Sequence, residues 1–253
     1  MMNSIKWLDK FHLLLLDEVD STSDEAKRIA ATGQSPDFLV VCAKRQTNGR
    51  GRYKNIWESY EGNLFMSIIV PTTHDLDAMA QLSFVTSLAL ENAISSLLKM
   101  YNTDGLIQLK WPNDILLNDH KIAGILLETG GLNNNFIVIG VGVNICRSPL
   151  IADKKITDLY KEGLVSAEKN EIMNRFMSNF SILYANWLEE GFLPIRDKWL
   201  KKAKGIGKII SINTGSSRIS GKFLDIDFKG QARIGVSSGQ VHSVNTGEIF
   251  FSE

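Results

Sequence analysis

Lys110-Trp111-Pro112-Asn113-Asp114, followed by Ile115-Leu116-Leu117, the turn Asn118-Asp119-His120 and the run Lys121-Ile122-Ala123-Gly124-Ile125-Leu126-Leu127-Glu128, decides how this chain is read. Ile107 to Trp111, Ile115 to Leu117 and Lys121 to Glu128 have strand length and composition, and Asn-Asp suits a hairpin turn. Pro112 restricts Trp111 to extended backbone. The chain then leaves the first strand rigidly and presents Asn113 and Asp114 at its end, where catalytic groups commonly sit. Lys121 and Gly124 interrupt an otherwise apolar strand. Singly, each has a plain explanation: a lysine opening a strand usually faces solvent, and Asn-Asp after proline is usually only a turn. Together they point to a site.

Upstream, Phe38 to Ala43 and Asn63 to Val70, the latter ended by Pro71, read as buried strands. Between them lies Gln46-Thr47-Asn48-Gly49-Arg50-Gly51-Arg52-Tyr53-Lys54, with three cations and two glycines. Glycine lets backbone approach a ligand closely, and the planar fork of arginine pairs two oxygens of a carboxylate or phosphate at once. The loop suits an enclosed anion, although taken alone a solvated surface loop explains it as well. Thr22 and Glu25 have capping-box spacing and predict a helix from near Ser23, with Ala26, Ile29 and Ala30 on one face. From Ala78 to Met100 apolar residues recur at three and four, predicting one long amphipathic helix over a sheet face.

Downstream, Gly130 to Asn135 reads as a second hairpin turn leading into the strand Phe136 to Asn144. There Gly140 and Gly142 put two small residues on one face, with room for a flat ligand or another backbone. No helix follows these glycines, so they are not a dinucleotide fingerprint. A polar stretch from Ser148 to Ser166 precedes a helix over Glu168 to Glu189, then a break at Gly191 and Pro194. After Gly205 short alternating strands predict a small barrel: Lys208 to Asn213, Arg218 to Leu224, Gln231 to Val236, Val241 to Val244 and Glu248 to Phe251. The run Lys201, Lys202, Lys204 and Lys208 reads as a solvated face or hinge.

Bulk properties narrow the class. In 253 residues, 28 Lys and Arg balance 28 Asp and Glu. Nothing in that balance advertises nucleic acid or a membrane surface as the main partner. The Leu13 to Leu16 run is too short for a signal peptide. Cys42 and Cys146 each sit in an apolar strand-like run and read as buried reduced thiols, so the expected compartment is the cytoplasm. The four histidines show no metal-ligand spacing, which leaves no side-chain metal cluster. There is neither a phosphate-binding P-loop nor a Gly-x-Ser-x-Gly elbow.

Asp20-Ser21-Thr22-Ser23, Gln46 with Gly49-Arg50-Gly51-Arg52 and Trp57, Lys110 to Asp114, Lys121 to Leu126, and Gly140 to Asn144 resemble, in order and spacing, the motifs of biotin protein ligases. The likeness is close over residues 15 to 146, and the terminal strands resemble the family's C-terminal domain. It implies an α+β fold: a mixed sheet flanked by helices, the class II synthetase-like biotin–lipoate ligase fold, followed by a small SH3-like β-barrel. The division implied is residues 1–204 catalytic and 205–253 barrel.

The activity implied uses ATP, Mg²⁺ and biotin as substrate to form biotinyl-5'-AMP. Biotin is then transferred to a lysine of the biotin carboxyl carrier protein of acetyl-CoA carboxylase. Carried over by residue, Ser21, Thr22, Ser23 and Gln46 would hydrogen-bond the biotin head and Lys121 would reach its carboxylate, with Gly124 beside it. Gly49, Arg50, Gly51 and Arg52 would close over the adenylate, Arg50 to Arg52 also bordering biotin. Trp57, Asn113 and Asn144 would line the nucleotide side. Asp114 would stand near the reacting phosphate or its Mg²⁺, so that Lys121, Arg52 and Asp114 carry the catalysis.

The glycine loop departs from the family's Gly-Arg-Gly-Arg-x-Gly, because Lys54 takes the last position after Tyr53, which bears on how the adenylate is held. Some family members carry an N-terminal helix-turn-helix. Only about twenty residues precede Ser21 here, so no DNA binding is expected. A homodimer through a sheet edge is a reasonable expectation from the resemblance. A lipoate or octanoate ligase, with the same fold and adenylate logic, would need an apolar tunnel where Ser21, Thr22 and Gln46 provide polar partners. A regulator that binds biotin without catalysis would have no need of Lys121, Arg52 and Asp114.

Overall fold

The structure, a computed structural model, describes residues 11–71, 76–130, 136–152, 154–215 and 217–251. Seven strands form the main sheet: β1 (His12–Val19), β2 (Leu39–Gln46), β3 (Leu64–Pro71), β4 (Ile107–Lys110), β5 (Asp114–Leu117), β6 (His120–Gly130) and β7 (Phe136–Val143). Their spatial order is β1-β2-β3-β7-β6-β5-β4. β1 runs parallel to β2, as the crossover helix between them requires. The remaining pairs are antiparallel, so the sheet is mixed.

β1 has no counterpart in the strands read from sequence, because four consecutive leucines carry no period. Its solvent-facing Leu13 and Leu15 are exposed, while Leu14 and Leu16 pack on Val41, Val138 and their neighbours. The helix α1 (Thr22–Ala31) begins one residue earlier than the spacing predicts: its cap is Ser21, whose side chain accepts from the Asp24 N–H. Thr22 is thereby released from capping and turned inward. Trp111–Pro112 is a cis peptide, and Asp114 opens β5 directly. The predicted turn at Gly130 to Asn135 lies mostly outside the described residues, and Gly130 pairs with Phe136 across it.

The predicted long helix is two: α2 (Leu76–Ala80) and α3 (Leu82–Met100). They break at Gln81, whose carboxamide accepts from the Trp187 indole N–H (2.7 Å) and donates to the Phe228 carbonyl (3.0 Å). α4 (Lys169–Glu190) packs on α3 and stacks Phe176, Phe180, Tyr184 and Trp187 along one face. The break at Gly191 is a single residue with φ 77°. Pro194 does not extend it, because proline costs no backbone bond in the first turn of α5 (Phe192–Leu200). The stretch Ser148 to Ser166 is polar but not merely solvated. Thr157, Asp158 and Leu159 are buried, and the segment bridges to β6 at Lys121.

β8 (Ile209–Asn213), β9 (Arg218–Ile226), β10 (Ala232–Gly235), β11 (Val241–Val244) and β12 (Glu248–Phe251) form the SH3-like antiparallel unit, in the order β11-β10-β9-β8-β12. It is joined to the main sheet through Leu109, whose N–H and carbonyl pair with Lys202 and Lys204, and through the Trp111 indole, which donates to the Gly230 carbonyl at 2.9 Å. The lysine run is correspondingly not a free solvated face. Lys202 meets the buried Glu91 at 2.9 Å and Lys204 meets Asp119 at 2.5 Å. Cys42 is buried, its thiol pushed up by desolvation. Cys146 is half-buried and lies past the end of β7. No helix among the described residues is long and apolar enough to cross a membrane.

Candidate active site

Between the end of β2 and Trp57 the chain makes a tongue closed by its own backbone: Trp57 N–H donates to the Gly49 carbonyl (2.9 Å) and Gly51 N–H to that of Asn55 (2.7 Å). Gly49 is required by this closure, since a Cβ there would lie 2.4 Å from the Trp57 carbonyl oxygen. The tongue roofs a cavity of about 1080 Å³ floored by the main sheet and walled on its far side by β12 and the Lys204–Ile209 segment. Every side chain proposed from sequence, apart from Gly49, borders this cavity.

One end is lined with hydroxyls and a carboxamide. Gln46 Oε1 accepts from Thr22 N–H (2.8 Å) and Thr22 Oγ1 (3.1 Å), while Gln46 Nε2 donates to Ser59 Oγ (3.1 Å). Ser67 on β3 touches both Thr22 Oγ1 (2.8 Å) and Ser23 Oγ (3.0 Å). Ser59 and Ser67 escaped the sequence reading. Ser67 had a signal, a lone hydroxyl in the run Leu64 to Pro71, whereas Ser59 is reached only by the fold of the tongue.

The other end is cationic. Lys121 Nζ is 2.6 Å from Asp114 and 5.6 Å from the centroid of the Trp57 ring. Lys110, absent from the proposed site residues, is half-buried here, and desolvation pulls its pKa down. Lys204, read as a hinge residue, lies 4.8 Å from the centroid of the Phe251 ring at the same end. The walls carry eight Lys and Arg against four Asp and Glu in a chain of zero net charge. An excess of positive charge in a low-dielectric cleft attracts and concentrates anions.

The two loop arginines differ. Arg50 Nη2 reaches Asp24 (2.5 Å) and Glu128 (3.0 Å), and Lys27 joins them through Glu128 at 2.6 Å. Its charge is compensated, and it fastens the tongue to α1 and β6. Arg52, whose pKa burial lowers, meets neutral acceptors, among them Asn113 Oδ1 at 3.2 Å. Asn113 in turn donates to the Ile125 carbonyl (2.7 Å), and Asn144 to that of Thr157 (3.2 Å), so both asparagines brace the cavity wall.

Of the two glycines expected to leave room for a flat group, Gly142 does so, but the group is the indole of Trp57, which Gly124 also admits, whereas Gly140 lies against Ser23 Oγ. A Cβ on Gly142 would stand 2.5 Å from its Cε2, and one on Gly124 3.0 Å from its Cζ3. Trp57 Nε1 is buried without a hydrogen-bond partner among the described residues. Those residues hold no group of three or more His, Cys, Asp or Glu arranged to bind a metal ion.

Comparison with known proteins agrees with this architecture. The profile of the biotin/lipoate A/B protein ligase family matches residues 16–144. The chain is 32% identical over 245 residues to the biotin–[acetyl-CoA-carboxylase] ligase of Paracoccus denitrificans, covering 94% of this chain and 99% of that protein. It is 30% identical over 235 residues to the bifunctional ligase/repressor BirA of Bacillus subtilis, covering 90% of this chain and 70% of that one. The solved biotin protein ligase from Aquifex aeolicus in complex with biotin and ATP superposes with a TM-score of 0.79 at 25% identity, covering 94% of this chain and 97% of that chain.

Proposed function

The chain belongs to the biotin/lipoate A/B protein ligase family, among its biotin protein ligases, and from that premise we propose that it converts biotin and ATP to biotinyl-5'-AMP. We propose further that it transfers the biotinyl group to a lysine of a biotin carrier protein, the biotin carboxyl carrier protein of acetyl-CoA carboxylase. The observation that carries this reading is one cavity with a hydroxyl and carboxamide end at Ser21, Thr22 and Gln46 and a cationic end at Lys121, Lys110 and Arg52. A ureido ring needs polar partners at one end, and a carboxylate meeting a triphosphate needs charge neutralisation at the other.

Biotin's carboxylate is ionised at neutral pH and attacks the α-phosphorus without a general base, releasing pyrophosphate and leaving a mixed anhydride. In this reading Lys121 exchanges its contact with Asp114 for the incoming carboxylate, Arg52 meets the phosphate, and Trp57 with Asn113 and Asn144 bounds the nucleotide. The tongue from Gly49 to Trp57 keeps water from the anhydride until a carrier lysine attacks the acyl carbon and AMP leaves. Mg²⁺ suits a site with few carboxylates, since it is commonly held by substrate phosphates and one or two side chains. Asp114 and Glu248 are the candidates at this end, and the ion would supply further neutralisation of the triphosphate. We place the domain division at residues 204 and 205, in keeping with the separate sheet that follows.

The test is mass spectrometry of an apo carrier domain incubated with the protein, ATP, Mg²⁺ and equal biotin and lipoate. A gain of one biotinyl group supports the reading. A lipoyl adduct moves the assignment to the lipoate branch, and biotin binding without any adduct leaves a non-catalytic binder.

A further inference from the structure

Arg50 and Arg52 stand two residues apart yet end in opposite electrostatic surroundings. Arg50 is compensated by two carboxylates. Arg52 meets no carboxylate at ion-pair distance among the described residues, and Asp114 and Glu248 act on it only through space. Its Nη1 donates to Asn113 Oδ1 and to the Gly247 carbonyl, both at 3.2 Å, and its Nη2 to the Tyr53 hydroxyl (3.2 Å) and to Thr246 Oγ1. The Tyr53 hydroxyl is itself 2.7 Å from Thr246 Oγ1, and the guanidinium lies 4.9 Å from the centroid of the Tyr53 ring. Two of the four anchors, and the partner of a third, thus lie in the turn between β11 and β12, 194 and 195 residues further along the chain. Tyr53 reaches that turn from left-handed backbone at φ 55°, which a tyrosine adopts only when its surroundings hold it there.

A guanidinium held by neutral acceptors is oriented but keeps its charge for an incoming anion, the arrangement that preorganisation requires. We infer that Tyr53 and Thr246 are positioning residues for Arg52, so that the β11–β12 turn is part of the device that retains the acyl adenylate. The inference rests on reading the cavity as the site where biotinyl-AMP forms. It assigns a task in that chemistry to the C-terminal sheet, from which none of the residues proposed from sequence comes, and to Tyr53, the residue before Lys54, where the loop departs from the family pattern.

The test uses the full chain and compares Thr246→Val, Thr246→Ser and Tyr53→Phe, alone and in an Arg52→Gly background. Biotinyl-AMP is formed with biotin, ATP and pyrophosphatase, and the fraction still bound is followed after gel filtration. Thr246→Val is expected to release it about fivefold faster, the scale of one partly exposed hydrogen bond to a charged group. Serine should restore retention. In the Arg52→Gly background Thr246→Val should have no further effect. Release at the parent rate in both Thr246→Val and Tyr53→Phe overturns the inference, as does equal acceleration with and without Arg52. A parent that makes no biotinyl-AMP at all would instead refute the proposed function.

Discussion

Gly142→Ala places a methyl group about 1 Å inside ordinary van der Waals distance of the Trp57 indole, with three ring atoms between 2.5 and 2.8 Å from the new Cβ. The ring cannot retreat by moving its backbone, because Trp57 N–H is bonded to the Gly49 carbonyl at 2.9 Å and its own carbonyl abuts Gly49. It must rotate off the sheet. Uncovering about 50 of its roughly 200 Å² costs about 1.3 kcal/mol at ~25 cal/mol per Å². Loss of the Lys121 ammonium over the ring adds about 0.5 kcal/mol, and the reduced freedom of the unfolded chain returns about 0.5 kcal/mol. The net is about 1.3 kcal/mol, or a fall of about 3 to 5 °C in unfolding midpoint for a chain of this size. If Trp57 bounds the nucleotide, the KM for ATP in pyrophosphate exchange rises about tenfold while the KM for biotin, bound at the other end, stays near the parent value. The cycle with Trp57→Ala decides the cause, since Gly142→Ala should cost nothing once the ring is gone. An ATP KM within twofold of the parent, or an undiminished penalty in the Trp57→Ala background, would refute the reasoning.

Lys121→Ala removes the cation expected at biotin's carboxylate and strands Asp114, its partner at 2.6 Å. Pyrophosphate exchange should fall about 100-fold, and a loss under threefold would remove Lys121 from the chemistry. Arg52→Gly should make biotinyl-AMP yet let it escape, read as biotin on the lysines of a bystander protein, and leakage equal to the parent would sink that role. Arg50→Ala should loosen the tongue by removing the guanidinium that ties it to Asp24 and Glu128. Faster proteolysis between residues 47 and 57 is the expected readout, and unchanged cleavage would show that the tongue holds without the pair. Asp20 is pulled down to about 2 from 3.8 by Arg28, then by the Ser21 N–H. A carboxylate whose pKa folding lowers stabilises above its unfolded value and loses that stabilisation as pH falls toward the folded one. Asp20→Asn should therefore flatten the slope of unfolding midpoint between about pH 4 and pH 2, modestly because the pair is half exposed. An identical slope would place the acid sensitivity elsewhere.

What was legible in the sequence was what a local pattern can carry. Strands buried on both faces announce themselves as apolar runs and half-buried ones by alternation, and β3, β5, β6, β7 and the C-terminal strands lie within a residue or two of where those patterns place them. The motif residues from Ser21 to Asn144 could be named because their order and spacing resemble those of biotin protein ligases, and the chemistry of anions and polar rings makes those residue types sensible there. Edge strand β1 was not legible, because half its leucines face solvent. Nor were the cap at Ser21, the division at Gln81 and the helix through Pro194, each settled by a partner distant in sequence or by a single residue of register.

The sequence by itself therefore determined the residue inventory of the site and the family's order of elements. The tertiary structure decided which charges are cancelled and which remain free. Arg50 and Arg52 are alike as sequence, but one meets carboxylates on α1 and β6 and the other meets carbonyl and hydroxyl groups from Asn113, Tyr53 and the β11–β12 turn. Likewise, Gly142 reads as space for a ligand until Trp57 is found against it. Electrostatic compensation and steric room are properties of the few ångströms around an atom, and those ångströms are filled from all along the chain.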